Sequence, residues 1–201
     1  MKFSEIKKHL GTFTVGIAGA GGLGSNCAIA LARSGIGHLV IADYDTVEGS
    51  NLNRQYYFTY QVGMKKTEAL KENLIKVNPK IVIDIYDTKL NPANIPVIYN
   101  ECDIIVEAFD SPDMKEMLAE TALSLWPERP LIMGSGLAGY GRNNILKQRN
   151  IGNNLIVCGD EESETSDQLP PMAPRVGVVA NMQANAVVEI LLKQNTYENN
   201  S

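Results

Sequence analysis

The chain has 201 residues, of which 44% are apolar and 20% charged, enough for one domain with a full hydrophobic core and unlike a disordered or fibrous sequence. Its 18 Lys and Arg against 23 Asp and Glu leave a net charge of −5, which gives no support for general nucleic-acid binding while leaving a local basic pocket open. Cys27, Cys102 and Cys158 are far apart, odd in number and form no CxxC pair, so neither a disulfide framework nor a four-cysteine zinc site is expected, and no apolar run reaches membrane-spanning length.

The opening residues 1–8 lack the long apolar stretch of a secretory signal, which makes a cytoplasmic location the expectation. Residues 12–18 are β-rich and bounded by glycine, and read as a first strand. Leu23, Cys27, Ala30 and Leu31 repeat at helical spacing, so 23–34 reads as a helix with Gly35 as its C-terminal cap. A second strand at 38–42, a helix at 65–77 halted by Pro79 and a third strand at 81–86 follow. A fourth strand at 103–106, a helix at 112–125 with proline in its first turn and a fifth strand at 131–133 continue the alternation. This pattern predicts an α/β fold: a doubly wound, mostly parallel Rossmann-like sheet with helices on both faces. The order then changes. Residues 145–148 and 155–157 read as an antiparallel hairpin, 159–174 as an acidic, proline-rich mobile loop, 176–192 as a last helix and 195–201 as a polar tail. The expected organisation is a single nucleotide-binding domain over 1–201, with a core at 10–134 and a hairpin, crossover loop and last helix at 135–194.

The glycine turn between the first strand and the first long helix has the form GxGxxG. Gly19 permits a tight turn, Gly21 lets backbone approach a phosphate, and Gly24 lets the helix pack close to the sheet, with Gly22 inside the same turn. The free N–H groups of the helix start favour an anion. Asp43 ends the second strand 19 residues after Gly24, where a carboxylate can accept from ribose hydroxyls. A bare glycine turn also occurs without ligands; the flanking elements and the spaced aspartate favour a nucleotide.

Asn51, Arg54 and Lys65 lie on the path that returns from Asp43 to the carboxyl edge of the sheet. Two cations and an amide suit a triphosphate, whose charge shifts toward leaving pyrophosphate, better than a hydride transfer. The alternative is that Arg54 and Lys65 are solvated surface groups. Asp110 closes the fourth strand segment on the same edge, where a hard oxygen could hold Mg2+ against the phosphates; with Ser111 and Pro112 it is equally a good helix start. Asp45 either orients Arg54 or Asn51 or caps its turn.

The segments GAGGLGS, IADYDTVEGSNLNRQ, GMKKTEAL and EAFDSPDMK resemble the ubiquitin-activating superfamily, and within it the ThiF, MoeB and HesA branch that activates small sulfur-carrier proteins; the resemblance runs over about 10–192. It implies an ATP-binding variant of the doubly wound sheet, usually a homodimer. It also implies ATP with Mg2+ and a ubiquitin-fold partner ending in Gly-Gly, whose carboxylate attacks the α-phosphate to give an acyl-adenylate and pyrophosphate. The implied nucleotide set is Gly19, Gly21, Gly22, Gly24, Asp43, Asp45, Asn51, Arg54, Gln55 and Lys65. Arg54, Lys65 and Asp110 would be the catalytic groups and Asp110 the metal ligand. The attacking carboxylate is already ionised, so no general base is required, and His9 and His38 read as a surface group and a strand-edge residue. Neither a nucleic acid nor a membrane is an expected partner.

Two departures from the family pattern stand out. The two CxxC pairs that hold zinc in many relatives are missing, so no structural zinc is expected, and there is no arginine before Arg33 to match the N-terminal arginine that in many relatives reaches across the dimer toward the partner's ATP. Lys7 or Lys8 could replace such an arginine in charge, not in forked geometry. What remains resembles a short ThiF-like subgroup of thiamine biosynthesis, implying a ThiS-like carrier. Cys158 borders the crossover loop; a covalent link to the carrier and an incidental thiol are both open, with the acidic neighbour Asp160 expected to raise its pKa and oppose the link. Met172 and Phe109 read as packing residues or as channel lining, and Arg175, at a helix start, as the partner of a carboxylate or of a bound tail. The competing functions are a non-catalytic nucleotide- and partner-binding module and an NAD-dependent oxidoreductase.

Overall fold

The computed structural model describes residues 1–198, with side chains described as far as 193. Seven strands, β1 (Thr14–Ala18), β2 (His38–Asp43), β3 (Val82–Asp87), β4 (Ile104–Glu107), β5 (Leu131–Gly134), β6 (Lys147–Ile151) and β7 (Leu155–Gly159), form one sheet in the order β3-β2-β1-β4-β5-β7-β6. Neighbours run parallel except β6, which lies antiparallel to β7. Helices α1 (Phe3–Leu10), α2 (Gly22–Ser34), α3 (Lys66–Val77), α4 (Ile95–Tyr99), α5 (Pro112–Leu125) and α6 (Ala173–Glu198) cover it. The doubly wound α/β architecture with an antiparallel extension is the one the strand and helix alternation predicts.

The period of two along each strand sorts side chains into two cores. Val15 and Ile17 of β1, with Leu39 and Ile41 of β2, pack under α2, α3 and α6. Ala18, Val40, Ala42 and Ile105 face the other way, against Ile95, Tyr99 and Leu118 of α4 and α5. Gly16 sits where the Tyr99 ring crosses β1; a Cβ there would approach that ring to 2.6 Å. The 173–193 part of α6 is long and apolar enough by composition to cross a membrane, with mean hydropathy 1.2, although no uninterrupted apolar run in the sequence suggests it. Here it is a core helix: Val179, Val187 and Leu191 are fully buried in the cluster that includes α2, each worth about 1.5–3 kcal/mol relative to exposure.

Several boundaries move for local reasons. Gly35 caps α2 as expected, at φ 105° with its N–H on the Leu31 carbonyl at 3.1 Å, and α5 spans the predicted residues with Pro112 in its first turn. β6 starts two residues later than expected and runs to Ile151, because the hairpin turns only at Gly152 (φ 61°). α1 and α4 leave no mark in the sequence pattern, because each is under three turns, too short for a periodic signal to stand out. α6 continues to Glu198, so 195–198 of the expected polar tail are helical, and 199–201 lie outside the described residues. The 160–172 segment has no regular structure, as expected, but its start is tied down. Asp160 is buried and ion-paired with Arg175, Glu161 binds Arg149, and the Ser163 hydroxyl accepts the Ala138 N–H at 3.2 Å.

Candidate active site

The sheet changes direction between β1, which leads outward to β2 and β3, and β4, which begins the other half. Loops leaving the carboxyl ends of β1 and β4 diverge there and open a crevice. A cavity of about 670 Å³ occupies it, bounded by the glycine turn, the segment after β2, the start of α3 and the loop after β4, with 134–137 and 161–165 at its far wall. A roomier hollow of about 880 Å³ lies between α2 and α6, but no charged side chain lines it, so it offers nothing to a polyanion.

The glycine turn is built as its spacing requires. Gly19 has φ +102°, and a Cβ at Gly24 would collide with the Gly19 carbonyl, so Gly24 brings α2 onto the turn. A Cβ at Gly21 would meet nothing nearer than the Gln55 amide at 3.9 Å, so Gly21 faces open room, and both Gly21 and Gly22 line the cavity. Asp43 also lines it and holds the turn: Oδ2 accepts the Ala20 N–H at 2.6 Å and Oδ1 the Asp45 N–H at 2.8 Å.

Beyond β2, Asn51 folds the chain into a short 3-10 turn. Its Oδ1 accepts the Glu48 N–H at 3.0 Å, and its carbonyl accepts from Arg54 and Gln55. Asn51 is buried and does not reach the cavity; it shapes the turn that presents its neighbours there. Arg54 lines the cavity, and its Nη1 donates to Asn53 Oδ1 at 2.8 Å and to the Ser50 carbonyl at 3.3 Å, with no carboxylate partner among the described residues. Gln55 also lines it, and its buried Oε1 has no hydrogen-bond partner.

The lysine expected at 65 is placed elsewhere, and its neighbour takes the cavity. Lys65 is the extended residue before α3 (φ −59°, ψ 135°), while Lys66 is the first helical residue, so the two side chains leave on different sides. Lys65 runs to Asp87 at the end of β3, 3.1 Å away, and both side chains are nearly half exposed. Lys66 is buried, lines the cavity and meets Asp45 Oδ2 at 2.6 Å. Asp45 therefore orients a cation, but the cation is Lys66, not Arg54.

Asp110 is exposed on the cavity wall and makes no hydrogen bond or ion pair among the described residues; Ser111, not Asp110, occupies the residue before α5. Three residues before it, behind the same wall, Glu107 is fully buried and bound by Lys115, whose Nζ lies 2.9 Å from each carboxylate oxygen and 2.8 Å from the Gly134 carbonyl. Burial pushes the Glu107 carboxyl above its ordinary range, with Lys115 opposing the shift. The three Lys115 N–H groups are spent on Glu107 and the Gly134 carbonyl, so Lys115 fixes the wall rather than offering a free charge. Sequence reasoning missed Lys66, Lys115 and Tyr57, whose hydroxyl donates to the Ala20 carbonyl at 2.7 Å; the second lysine of the Lys65-Lys66 pair was the one legible signal.

Arg175 finds its carboxylate in Asp160, both buried, and its Nη1 also donates to the Gly141 carbonyl at 2.5 Å. Burial works to raise the Asp160 pKa, but the N–H groups of Ser163 and Glu162, the Ser163 hydroxyl and Arg175 outweigh it and hold the carboxyl below its ordinary value. Cys158 is fully buried and burial alone pushes its thiol up to about 12, so Asp160 is not the cause; Cys102 likewise rises to about 12. Phe109 lines the cavity, whereas Met172 is exposed and is not among its lining residues. His9 bonds the Leu191 carbonyl at 3.0 Å and His38 pairs with Asp84 at 2.9 Å, both away from the cavity. Lys7 lies along Gly35 at the C-terminal end of the 13-residue α2, about 20 Å from the cavity end of that helix. Among the described residues no group of His, Cys, Asp and Glu converges to hold a metal by itself.

Comparison with known proteins bears on this geometry. The ThiF family model matches residues 3–201. The curated adenylyltransferase and sulfurtransferase UBA4 of Eremothecium gossypii is 36% identical over 173 residues, covering 86% of this chain and 36% of that protein. The Ogataea parapolymorpha protein of the same name is 38% identical over 186 residues, covering 86% of this chain and 46% of that protein. The chain thus spans less than half the length of these curated relatives. Among solved structures, E. coli tRNA N6-threonylcarbamoyladenosine dehydratase, TcdA, in complex with AMP has a TM-score of 0.86 at 18% identity, covering 96% of this chain and 91% of that one; it shares the fold. E. coli MccB with AMPCPP and MccA has a TM-score of 0.72 at 25% identity, covering 94% of this chain and 58% of that one. With its family model matched from residue 3 onward, this chain belongs to the ThiF family.

Proposed function

We propose that this chain is an ATP-dependent adenylyltransferase that activates the C-terminal carboxylate of a ubiquitin-fold sulfur-carrier protein. One observation carries the reading: Gly21, Gly22, Arg54, Lys66 and Asp110 converge on one cavity at the switch point of a ThiF-family sheet. The adenylyltransferase named among the curated relatives, and the nucleotides bound to structures of the same fold, support it.

In this reading the carrier tail enters past 134–137 and 161–165, and ATP lies between the glycine turn and Lys66. A tail carboxylate oxygen forms a bond to the α-phosphorus while the α–β bridging bond breaks and its electrons leave on pyrophosphate. The step joins two anions, so its barrier is lowered chiefly by holding them together and by fixed positive charge. Arg54 has no carboxylate partner among the described residues, only the neutral Asn53 Oδ1 and Ser50 carbonyl, and would follow the departing phosphates. Lys66 is held by Asp45 in the position where the charge builds. Asp110, exposed on the cavity wall with no hydrogen bond or ion pair among the described residues, would be the carboxylate that holds Mg2+. Bound there, the metal would neutralise phosphate charge. The carrier would be ThiS-like with a Gly-Gly end, within thiamine biosynthesis, as the resemblance to a short ThiF-like subgroup implies, and the enzyme would be a homodimer, as the family resemblance implies.

The test is ATP–pyrophosphate exchange that depends on a carrier with a free C-terminal glycine, together with intact-mass detection of carrier-AMP. Each small Gly-Gly-ending protein of the same cell is tried in turn. ATP binding with no adenylate formed on any of them would replace this reading with a non-catalytic binding module.

A further inference from the structure

Tyr57 stands two residues after Gln55, and nothing in its position within the sequence marks it for function. Its ring is buried in the core beneath α2 and α3. Its hydroxyl lies 2.7 Å from the Ala20 carbonyl of the glycine turn and 3.3 Å from the Lys66 carbonyl in the first turn of α3. Burial, then Asp43 and Asp45, holds the phenol well above its ordinary pKa, so the hydroxyl keeps its proton and donates. One rigid side chain therefore joins the segment of Arg54 and Gln55 to the glycine turn and to the start of the helix that carries Lys66.

The consequence lies in the Ala20–Gly21 peptide. In a trans peptide the C=O and the following N–H point in opposite directions. Fixing the Ala20 carbonyl on Tyr57 therefore fixes the Gly21 N–H on the opposite side, and Gly21 lines the cavity. The preceding peptide is fixed as well, by the Ala20 N–H on Asp43 at 2.6 Å. The Gly21 N–H makes no hydrogen bond within the described residues. Without these two restraints a Gly-Ala-Gly-Gly stretch would be free to rotate, since glycine tolerates most backbone angles.

We infer that Tyr57 is a positioning residue: its hydroxyl presets the Gly21 amide toward the phosphates of the bound nucleotide and keeps that amide in register with Lys66. This deepens the proposed function and rests on its nucleotide reading.

Calorimetry of the full chain and of Tyr57→Phe with ATP and with adenosine tests it. Loss of one preset neutral hydrogen bond should weaken ATP about 5- to 10-fold and leave adenosine within about twofold. Equal weakening of both ligands, or unchanged ATP affinity, overturns the inference while leaving the nucleotide reading intact. A wild-type chain that binds ATP no better than adenosine overturns the nucleotide reading and this inference with it. Should Tyr57→Phe fail to fold, the wild-type protein decides. With ¹⁵N labelling, the Gly21 amide resonance should move on adding ATP and stay in place on adding adenosine; an amide that ignores ATP overturns the inference.

Discussion

Replacing each of the two adjacent lysines by methionine separates the cavity cation from its surface neighbour. Lys66 is buried and sits 2.6 Å from Asp45 within the cavity, whereas Lys65 and Asp87 form a pair 3.1 Å apart with both side chains nearly half exposed. A hydrogen bond between charged groups in a partly dry site is worth about 1.5–3 kcal/mol, so losing Lys66 from a phosphate costs about 10- to 150-fold in kcat/KM. Losing Lys66 also leaves Asp45 without its counter-charge on the cavity wall, where it repels the same phosphates, so the effect belongs at the upper end of that range. An exposed pair such as Lys65–Asp87 contributes about 0–1 kcal/mol, which is at most about fivefold and falls on stability rather than on activity. The assay is carrier-dependent ATP–pyrophosphate exchange, with ATP affinity measured by calorimetry and folding checked by circular dichroism. A Lys65→Met enzyme that loses as much exchange as Lys66→Met, both being folded, would refute the assignment and return the phosphate role to Lys65.

Four other outcomes follow from the same geometry. Asp110→Asn should remove the Mg2+-dependent part of ATP affinity and leave AMP affinity within about twofold, because AMP lacks the phosphates that a metal would bridge; equal loss for both nucleotides would deny the metal role. Arg175→Met strands the buried Asp160 carboxylate and should cost about 3–5 kcal/mol of stability in a urea titration, whereas a loss below about 1 kcal/mol would show that the pair is not holding 160–163 to α6. Cys158, buried with its thiol pushed up to about 12, stays protonated at neutral pH, so native protein should resist iodoacetamide at this position and Cys158→Ser should keep full exchange activity. Acid should loosen the loop in a defined window. The folded Asp160 pKa is depressed, so its contribution is complete above the unfolded value near 3.9 and is lost as pH falls from there through the folded value. Limited proteolysis of 161–172 should rise below about pH 4 in wild type, and a flat profile would exclude Asp160 as the clasp.

The sheet was legible because its signals are local and redundant. β1, β2 and β4 are short apolar runs bounded by turns, and the helices between them carry apolar residues at helical spacing with Gly35 or Pro112 at an end. Where redundancy is lacking, the sequence carries no clear signal. α4 is five residues with a proline in its first turn, and the 160–172 segment contains no apolar pattern, yet a long-range ion pair between Asp160 and Arg175 holds its start. A charge at a helix start announces that something must compensate it, which is why a carboxylate partner for Arg175 could be expected; which carboxylate depends on the return of β7, 15 residues earlier, to the same place.

The site divides the same way. Glycine roles follow from backbone sterics, which are nearly independent of context, and Gly19, Gly21 and Gly24 sit as their spacing requires. Side-chain direction at an element boundary is different, because it turns on which residue first adopts helical angles. Lys65 and Lys66 are chemically identical and adjacent, and the isolated bridge between Thr46 and Lys65 extends Lys65 and delays α3 by one residue. That single step sends one cation to Asp87 and the other into the cavity. Asn51 shows a second limit: a polar residue within a motif can act by bending the chain, with its amide spent on Glu48 and its carbonyl on Arg54 and Gln55. Motif spacing therefore locates a site to within a turn of chain, and only the hydrogen bonds decide which members of the motif meet the ligand and which build the wall behind it.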